Sequence, residues 1–328
     1  MNQVVINTTK QWHVCCYMPR RSEGNMRPQH TLGGSISCEG VGLHTGQPVA
    51  LTLRPAPPDA GVVFVRQAAE GPVPMGASIA NLVPSELCTA ISSNGTTVKT
   101  IEHVLAALSG LEVDNVFVEL DGDEVPVMDG SAGPFVRMIR AAGVIPQQRR
   151  QPYLKILAPI EVMDGPRRVV IEPSARTKIT YSIDYDHPLI KTQTYEYEWA
   201  VNRFEQDIAD ARTFGFLKEV EYLWSKGLGK GGSLDNTIVL SEQGVLNGSG
   251  LRYADEFVRH KILDFVGDLA LLGVPIIGHL IADRSGHALH TTLVEHILEQ
   301  SDKWVLLGAD TQPTRMELPV FRGAAARV

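Results

Sequence analysis

The chain has 328 residues, 44% of them apolar and 20% charged, a balance that excludes a disordered protein and leaves room for two domains of ordinary size. No apolar run reaches the roughly 18 residues of a membrane span, and the net charge of −7 argues against a nucleic-acid partner. The four cysteines, Cys15, Cys16, Cys38 and Cys88, form no C-x-x-C pair. Neither a disulfide framework nor a cysteine zinc site is therefore expected, and a reducing cytoplasm fits.

Residues 1–28 lack the apolar core and cleavage site of a secretory signal. They read as a disordered extension or a start codon assigned too early. From Thr31 to Pro55 the chain alternates as strands, with the Gly-rich turn Gly40 to Gly46 carrying His44; Gly61 to Arg66 is a further extended stretch. TIEHVLAALSGL predicts a helix with Thr100 as N-cap and Gly110 as stop, which puts Glu102 and His103 in its first turn. Val113 to Leu120 reads as a buried strand, and VPVMDGSAGPFV as a loop entering a helix that ends near Gly143. The polar, proline-bearing stretch Ile145 to Tyr153 marks a boundary between a first domain at 29–148 and a second at 149–300, with a tail at 301–328.

The second domain opens with the strands LKILAPIEVM, RRVVIE and TKITYSIDY. An apolar insert at about 211–233 carries a short amphipathic helix with Leu217, Val220, Leu223 and Trp224, then a glycine cluster. Gly227, Gly229 and Gly232 fit G-x-G-x-x-G, but they follow a helix and precede a strand, the wrong order for a dinucleotide turn. Leu251 to Gly273 reads as one long helix. At about 100° per residue, His260, Lys261, Asp264 and Asp268 fall in one narrow stripe and apolar residues cover most of the rest. Such a helix is buried, with its polar edge facing a cavity. VPIIGHLIA follows as a buried strand, and DRSGHALHTTLVEHIL as a loop, carrying His287, that leads into a helix.

The order helix, strand, Gly/Ser loop, helix occurs in both halves, and each first helix has a histidine near its start, His103 or His260. The fold class expected is α+β: two similar sandwich units from a duplicated element, with the site between them.

His260 and Asp264 are one helical turn apart, a spacing that suits either one metal ion or a hydrogen-bonded buried pair with Lys261 as counter-ion. With His103 they make a two-imidazole, one-carboxylate set that suits zinc and leaves a position for water. His and carboxylate ligands suit ferrous iron as well. Glu102 is placed to take a proton from that water, or is simply a first-turn acid favoured by the helix dipole. His287 is placed to protonate a leaving amine or steady an oxyanion, or is an exposed loop histidine. Asp268 can hydrogen-bond His287 and raise its pKa. Thr213 can donate to the same oxyanion or cap locally, and Lys261 can meet a phosphate or remain a solvated cation.

With these residues in view, the chain resembles the bacterial UDP-3-O-acyl-N-acetylglucosamine deacetylases, zinc enzymes of lipid A synthesis, over roughly residues 29–300. The resemblance rests on GVGLHTG ending at Gly46, LCT at 87–89, TIEHVLAAL at 100–108, DNVFVEL at 114–120 and MDGSAGPFV at 128–136. It continues through ARTFGF at 211–216, LRYADEFVRHKILDFVGDL at 251–269 and SGHAL at 285–289. It implies zinc on His103, His260 and Asp264, Glu102 as general base, and His287 as general acid supported by Asp268. It further implies Thr213 at the oxyanion, Lys261 at the hexosamine and diphosphate, Phe214 near the sugar and Tyr185 on uracil. Arg167 or Arg168 is matched to the diphosphate, and His44 and Cys88, inside the quoted motifs, to substrate contacts. The segment Phe216 to Leu228 matches the passage for the fatty acyl chain in position, although core packing would also explain its pattern. The enzyme expected is a cytoplasmic monomer that removes acetate from the 2-acetamido group. The competing readings are a zinc amidase of another acylated or peptide substrate, and a metal-free duplicated binding module.

Overall fold

The computed structural model describes residues 26–308, so the expectation for the N-terminal extension, and for the tail beyond residue 308, lies almost wholly outside it. The fold is α+β, built around two five-stranded sheets of the same plan. Sheet I contains β1 (Ile36–Val41), β2 (Pro48–Pro55), β3 (Val62–Ala68), β4 (Gly71–Gly76) and β5 (Val116–Leu120), in the order β1-β2-β5-β3-β4. Sheet II contains β6 (Ile160–Asp164), β7 (Arg167–Glu172), β8 (Lys178–Tyr185), β9 (Lys191–Glu198) and β10 (His279–Asp283), in the order β6-β7-β10-β8-β9. In each, two antiparallel hairpins are joined by a late strand that pairs antiparallel to the first hairpin and parallel to the second.

Each late strand lies between two helices in the chain. In the first unit these are α1 (Glu102–Gly110) and α2 (Gly133–Ala142); in the second, α3 (Glu256–Leu269) and α4 (His287–Glu299). α3 and α4 pack on sheet II, α2 packs on sheet I, and α1 lies against α3. The helices of the two units thus meet, and their ends and turns set the site. Among the described residues, no helix is long and apolar enough to cross a membrane.

The helix expected over Leu251 to Gly273 is α-helical only from Glu256, and closes with a 3-10 turn before the left-handed Gly273 (φ 78°). Its first residues are held open because the fully buried Glu256 carboxylate accepts from the Arg252 N–H (2.6 Å), the Arg212 N–H (3.0 Å) and the Arg212 guanidinium (2.9 Å). Apolar residues all round the helix are buried, as the reversed proportions of its faces require. α1 departs from its expected caps. Thr100 takes a left-handed conformation (φ 56°), and its hydroxyl donates to Glu124 (2.8 Å) without accepting from an N–H of the helix's first turn. Gly110 is inside the helix, where a Cβ would stand 2.2 Å from the Phe204 ring. VPIIGHLIA is two strands, not one: Ile276–Ile277 pairs with Tyr153–Ile156, and β10 joins sheet II. The switch falls at Gly278, where a Cβ would stand 3.0 Å from the Ile171 side chain. Within the expected tail, Trp304–Leu307 is a strand antiparallel to Tyr153–Ile156.

Candidate active site

The first turn of α1 and the polar edge of α3 converge on one point. His260 Nε2 lies 3.3 Å and His103 Nε2 3.6 Å from Asp264 Oδ1, and all three side chains are buried. Ligands about 2.0–2.1 Å from a tetrahedral ion stand roughly 3.3–3.4 Å from one another. Both separations are near that of ligands around an ion and longer than a direct hydrogen bond. The other atoms of these groups are already engaged: His260 Nδ1 donates to the Ala211 carbonyl (3.0 Å), leaving Nε2 with its lone pair, and Asp264 Oδ2 accepts from Lys261 Nζ (2.9 Å). Burial brings His260 down to about 3, so it is neutral at ordinary pH. Burial alone would raise the Asp264 carboxyl, but His260 and Lys261 hold it well below the usual range. A neutral imidazole and an ionised carboxylate are the forms that bind a metal.

Gly267 makes this approach of helices possible. A Cβ there would stand 2.1 Å from the Glu102 carbonyl oxygen. Only a glycine lets the start of α1 lie so close to α3.

Beside the triad is a second cluster. The buried Glu102 accepts from the Thr89 N–H through Oε2 (3.0 Å), and its Oε1 lies 3.9 Å from His287 Nε2. Burial pushes the Glu102 carboxyl up, against the pull of His287 and His103. His287 is not a loop histidine but the first residue of α4, after the extended Gly286 (φ −166°). Its Nδ1 donates to Asp268 Oδ2 (2.8 Å). Burial opposes a charge on His287, yet the charge and hydrogen bond of Asp268, with Glu102 and Asp264 behind them, raise it to about 10. His290 Nδ1 donates to the same Asp268 oxygen (2.8 Å), and the Thr89 hydroxyl donates to the other. Asp268, His287 and His290 could by proximity also be considered a ligand set. Their 2.8 Å contacts are hydrogen bonds, and too short to be edges of a coordination shell.

The remaining candidates are distributed unevenly around these two clusters. The Phe214 ring lies 6.3 Å from His260, 5.8 Å from Tyr185 and 5.8 Å below Lys261 Nζ, so Lys261, Phe214 and Tyr185 form one wall. Lys261 is paired with Asp264, which raises its pKa in spite of burial. His44 is buried, and among the described residues neither of its ring nitrogens has a hydrogen-bond partner. Its turn is fixed by Glu124, which accepts from the His44 N–H (2.8 Å), the Thr45 N–H (2.8 Å) and the Thr45 hydroxyl (2.7 Å). Burial lowers its pKa, and it lies within the fields of His287 and His103. Cys88 is buried beside Ser85 (3.0 Å), which leaves its thiol raised to about 11 by burial.

Thr213 lies two residues after the Ala211 carbonyl that orients His260, and its backbone is tied to Gly130 and Ile238 (both 2.8 Å). Among the described residues, no hydrogen bond joins its hydroxyl to Glu102 or His287. Arg167 and Arg168 lie on β7, paired with Asp164 and Glu161, and the structure does not bring them into either cluster. The insert forms a strand at Phe214–Phe216 and a helix at Val220–Ser225. Leu217, Tyr222 and Trp224 are exposed (49, 60 and 59%), so core packing does not account for their apolar character.

Sequence reasoning missed Thr89, His290, Tyr181 and Glu124. Thr89 was inside a quoted motif without being given a task. His290 is one turn beyond His287 on the same helix face, which is a usable signal; Tyr181 and Glu124 gave none.

Two histidines and an aspartate grouped so that they could hold a metal ion, with a buried carboxylate and a further histidine beside them, are the arrangement of a metal-dependent hydrolase. The family model described as UDP-3-O-acyl N-acetylglycosamine deacetylase matches residues 29–299, and the chain belongs to this family. Among proteins named UDP-3-O-acyl-N-acetylglucosamine deacetylase, that of Syntrophotalea carbinolica is 48% identical over 279 residues, 85% of this chain and 90% of that protein. That of Syntrophus aciditrophicus is 45% identical over 276 residues, covering 84% and 88%. That of Xanthomonas campestris pv. campestris strain B100 is 43% identical over 302 residues, covering 90% of this chain and all of that protein.

Proposed function

We propose that this protein hydrolyses the 2-acetamido group of UDP-3-O-acyl-N-acetylglucosamine, giving the free amine and acetate in the synthesis of lipid A. The observation that carries the reading is the convergence of His103, His260 and Asp264, spaced as ligands, with Glu102 and His287 on one side of them. Zinc is the ion proposed, with ferrous iron the other that this donor set suits. When bound it supplies positive charge that polarises the amide carbonyl and acidifies water.

The chain's own residues supply the rest. Glu102, held by the Thr89 N–H, takes a proton from the attacking water as its oxygen bonds to the carbonyl carbon. His287, protonated through its pairing with Asp268, and the Thr213 hydroxyl steady the oxyanion. The C–N bond then breaks, and His287 delivers its proton to the nitrogen. Lys261, Phe214 and Tyr185 form the wall for the sugar, diphosphate and uracil, with His44 and Cys88 on further substrate contacts. Arg167, outside the clusters, is retained for the diphosphate. The exposed apolar face of the insert, with Leu217 and Trp224, is assigned to the acyl chain. We also propose division into units 29–148 and 149–300, a monomeric state and a cytoplasmic location.

The test is acetate release from the acylated UDP-sugar by purified, zinc-loaded protein and by Glu102→Ala and His287→Ala. Each variant is expected to lose at least about 100-fold in kcat, in line with acid–base catalysis, while keeping about one ion per chain. Retained turnover would remove these roles. Metal without acetate release by the wild type would redirect the reading to other amides.

A further inference from the structure

Asp268 is fully buried, and it is held by more than the pairing with His287. On its other side His290, also fully buried, is stacked on Phe265 with ring centroids 4.3 Å apart. His290 Nδ1 donates to Asp268 Oδ2 (2.8 Å), and its Nε2 lies 3.0 Å from the Tyr181 hydroxyl. Tyr181 is fully buried, and burial raises its pKa, so its hydroxyl keeps its proton. Burial lowers that of His290, so the ring is neutral and has one N–H. A neutral ring that receives the tyrosine proton at Nε2 carries its own on Nδ1. The proton positions along Tyr181, His290 and Asp268 are thereby determined by the partners.

We propose that His290, set by Tyr181, is a positioning residue for the reaction: it fixes the Asp268 carboxylate so that His287 Nε2 faces the scissile amide. This rests on the deacetylase reading above. Asp268 has one oxygen on Thr89 and the other shared by two imidazoles, which leaves it no freedom to rotate. With His290 replaced by an apolar side chain, the Asp268–His287 pair loses one of its anchors and the imidazolium is free to turn. Partners one step behind a catalytic or metal-binding group commonly change activity by about 10- to 100-fold when removed. Substrate-contact residues are untouched, so the loss belongs in kcat and not in KM.

The experiment compares His290→Leu and His290→Asn, side chains of the same branched shape and heavy-atom number, of which only asparagine offers an N–H from the place of Nδ1. Both are assayed for acetate release in metal-loaded protein whose ion content and unfolding midpoint are measured. The expected result is a kcat about 10- to 100-fold lower in His290→Leu with KM within about twofold, and recovery to within about threefold of wild type in His290→Asn. A role in packing alone predicts equal losses in both, and that result, or an unchanged kcat in His290→Leu, overturns the inference. Tyr181→Phe, which removes one hydroxyl and keeps the ring, covers failure of the leucine variant to fold: a kcat about threefold or more below wild type supports the inference, and wild-type kcat overturns it. Inactive wild-type protein would defeat the deacetylase reading itself, a result separate from these.

Discussion

At the scale of single residues, the site depends on how burial and charge divide the protonation of three histidines. His260 and His290 are driven neutral by burial, whereas His287 is raised to about 10 because Asp268 outweighs its burial. A raised imidazole adds stability that is complete below its unfolded pKa of about 6.5 and is lost as pH climbs through its folded value. Asp268 is lowered despite its burial, by the charge and hydrogen bond of His287. Its contribution is present above an unfolded value of about 3.9 and lost as pH falls through the lowered one. The pair therefore stabilises the fold most between about pH 4 and 6.5. In metal-free protein, the difference in unfolding midpoint between wild type and Asp268→Asn should peak in that window and shrink as pH rises to 10. Calorimetry across the range checks this; a difference independent of pH would mean that His287 is not charged against Asp268. The His260–Asp264 pair was legible in the sequence because the two residues are one turn apart on a helix whose polar edge is narrow. Thr89 was not, because its partner Asp268 is 179 residues away in the chain and a lone threonine in a loop carries no periodic signal.

At the scale of elements, the site requires two helices to approach more closely than side chains ordinarily permit. The Glu102 carbonyl lies in the space that a Cβ at position 267 would fill, at 2.1 Å. Gly267→Ala must therefore push the start of α1 away from α3, carrying Glu102 and His103 off Asp264. Overpacking of this kind costs about 1–3 kcal/mol or more, and the variant should lose both stability in denaturant and acetate release. Gly248→Ala is the control, since nothing lies within 4 Å of a Cβ there; its stability should stay within about 0.5 kcal/mol of wild type. Equal behaviour of the two variants would show that the helix approach does not limit the site. The long helix was legible from its apolar periodicity, but its first turn was not. Periodicity cannot show that Glu256 takes the Arg252 N–H and the Arg212 guanidinium and so stops the helix from starting at Leu251. The break at Gly278 was hidden similarly, because an apolar run does not say which sheet each half will join.

At the scale of the whole molecule, the repeated order of helix, strand and helix foretold two similar units. It could not foretell that each late strand enters the middle of its sheet, since that depends on pairing between distant segments. The duplication gives the proposed metal centre a second consequence. Of the three proposed ligands, His103 comes from the first unit, and His260 and Asp264 come from the second. An ion bound by all three ties the units together across α1 and α3. Binding to the folded state alone stabilises by about 2.7 kcal/mol when free ion is at 100 times Kd. Chelated protein should therefore lose activity and unfold at a lower temperature, and zinc should restore both. Hydrogen exchange should slow in α1 as well as in α3 on adding zinc. In His103→Ala the two remaining ligands lie on one helix, so zinc should raise the midpoint much less and leave exchange in α1 unchanged. An equal zinc effect in His103→Ala would place the ion on α3 alone and remove the bridge between the units.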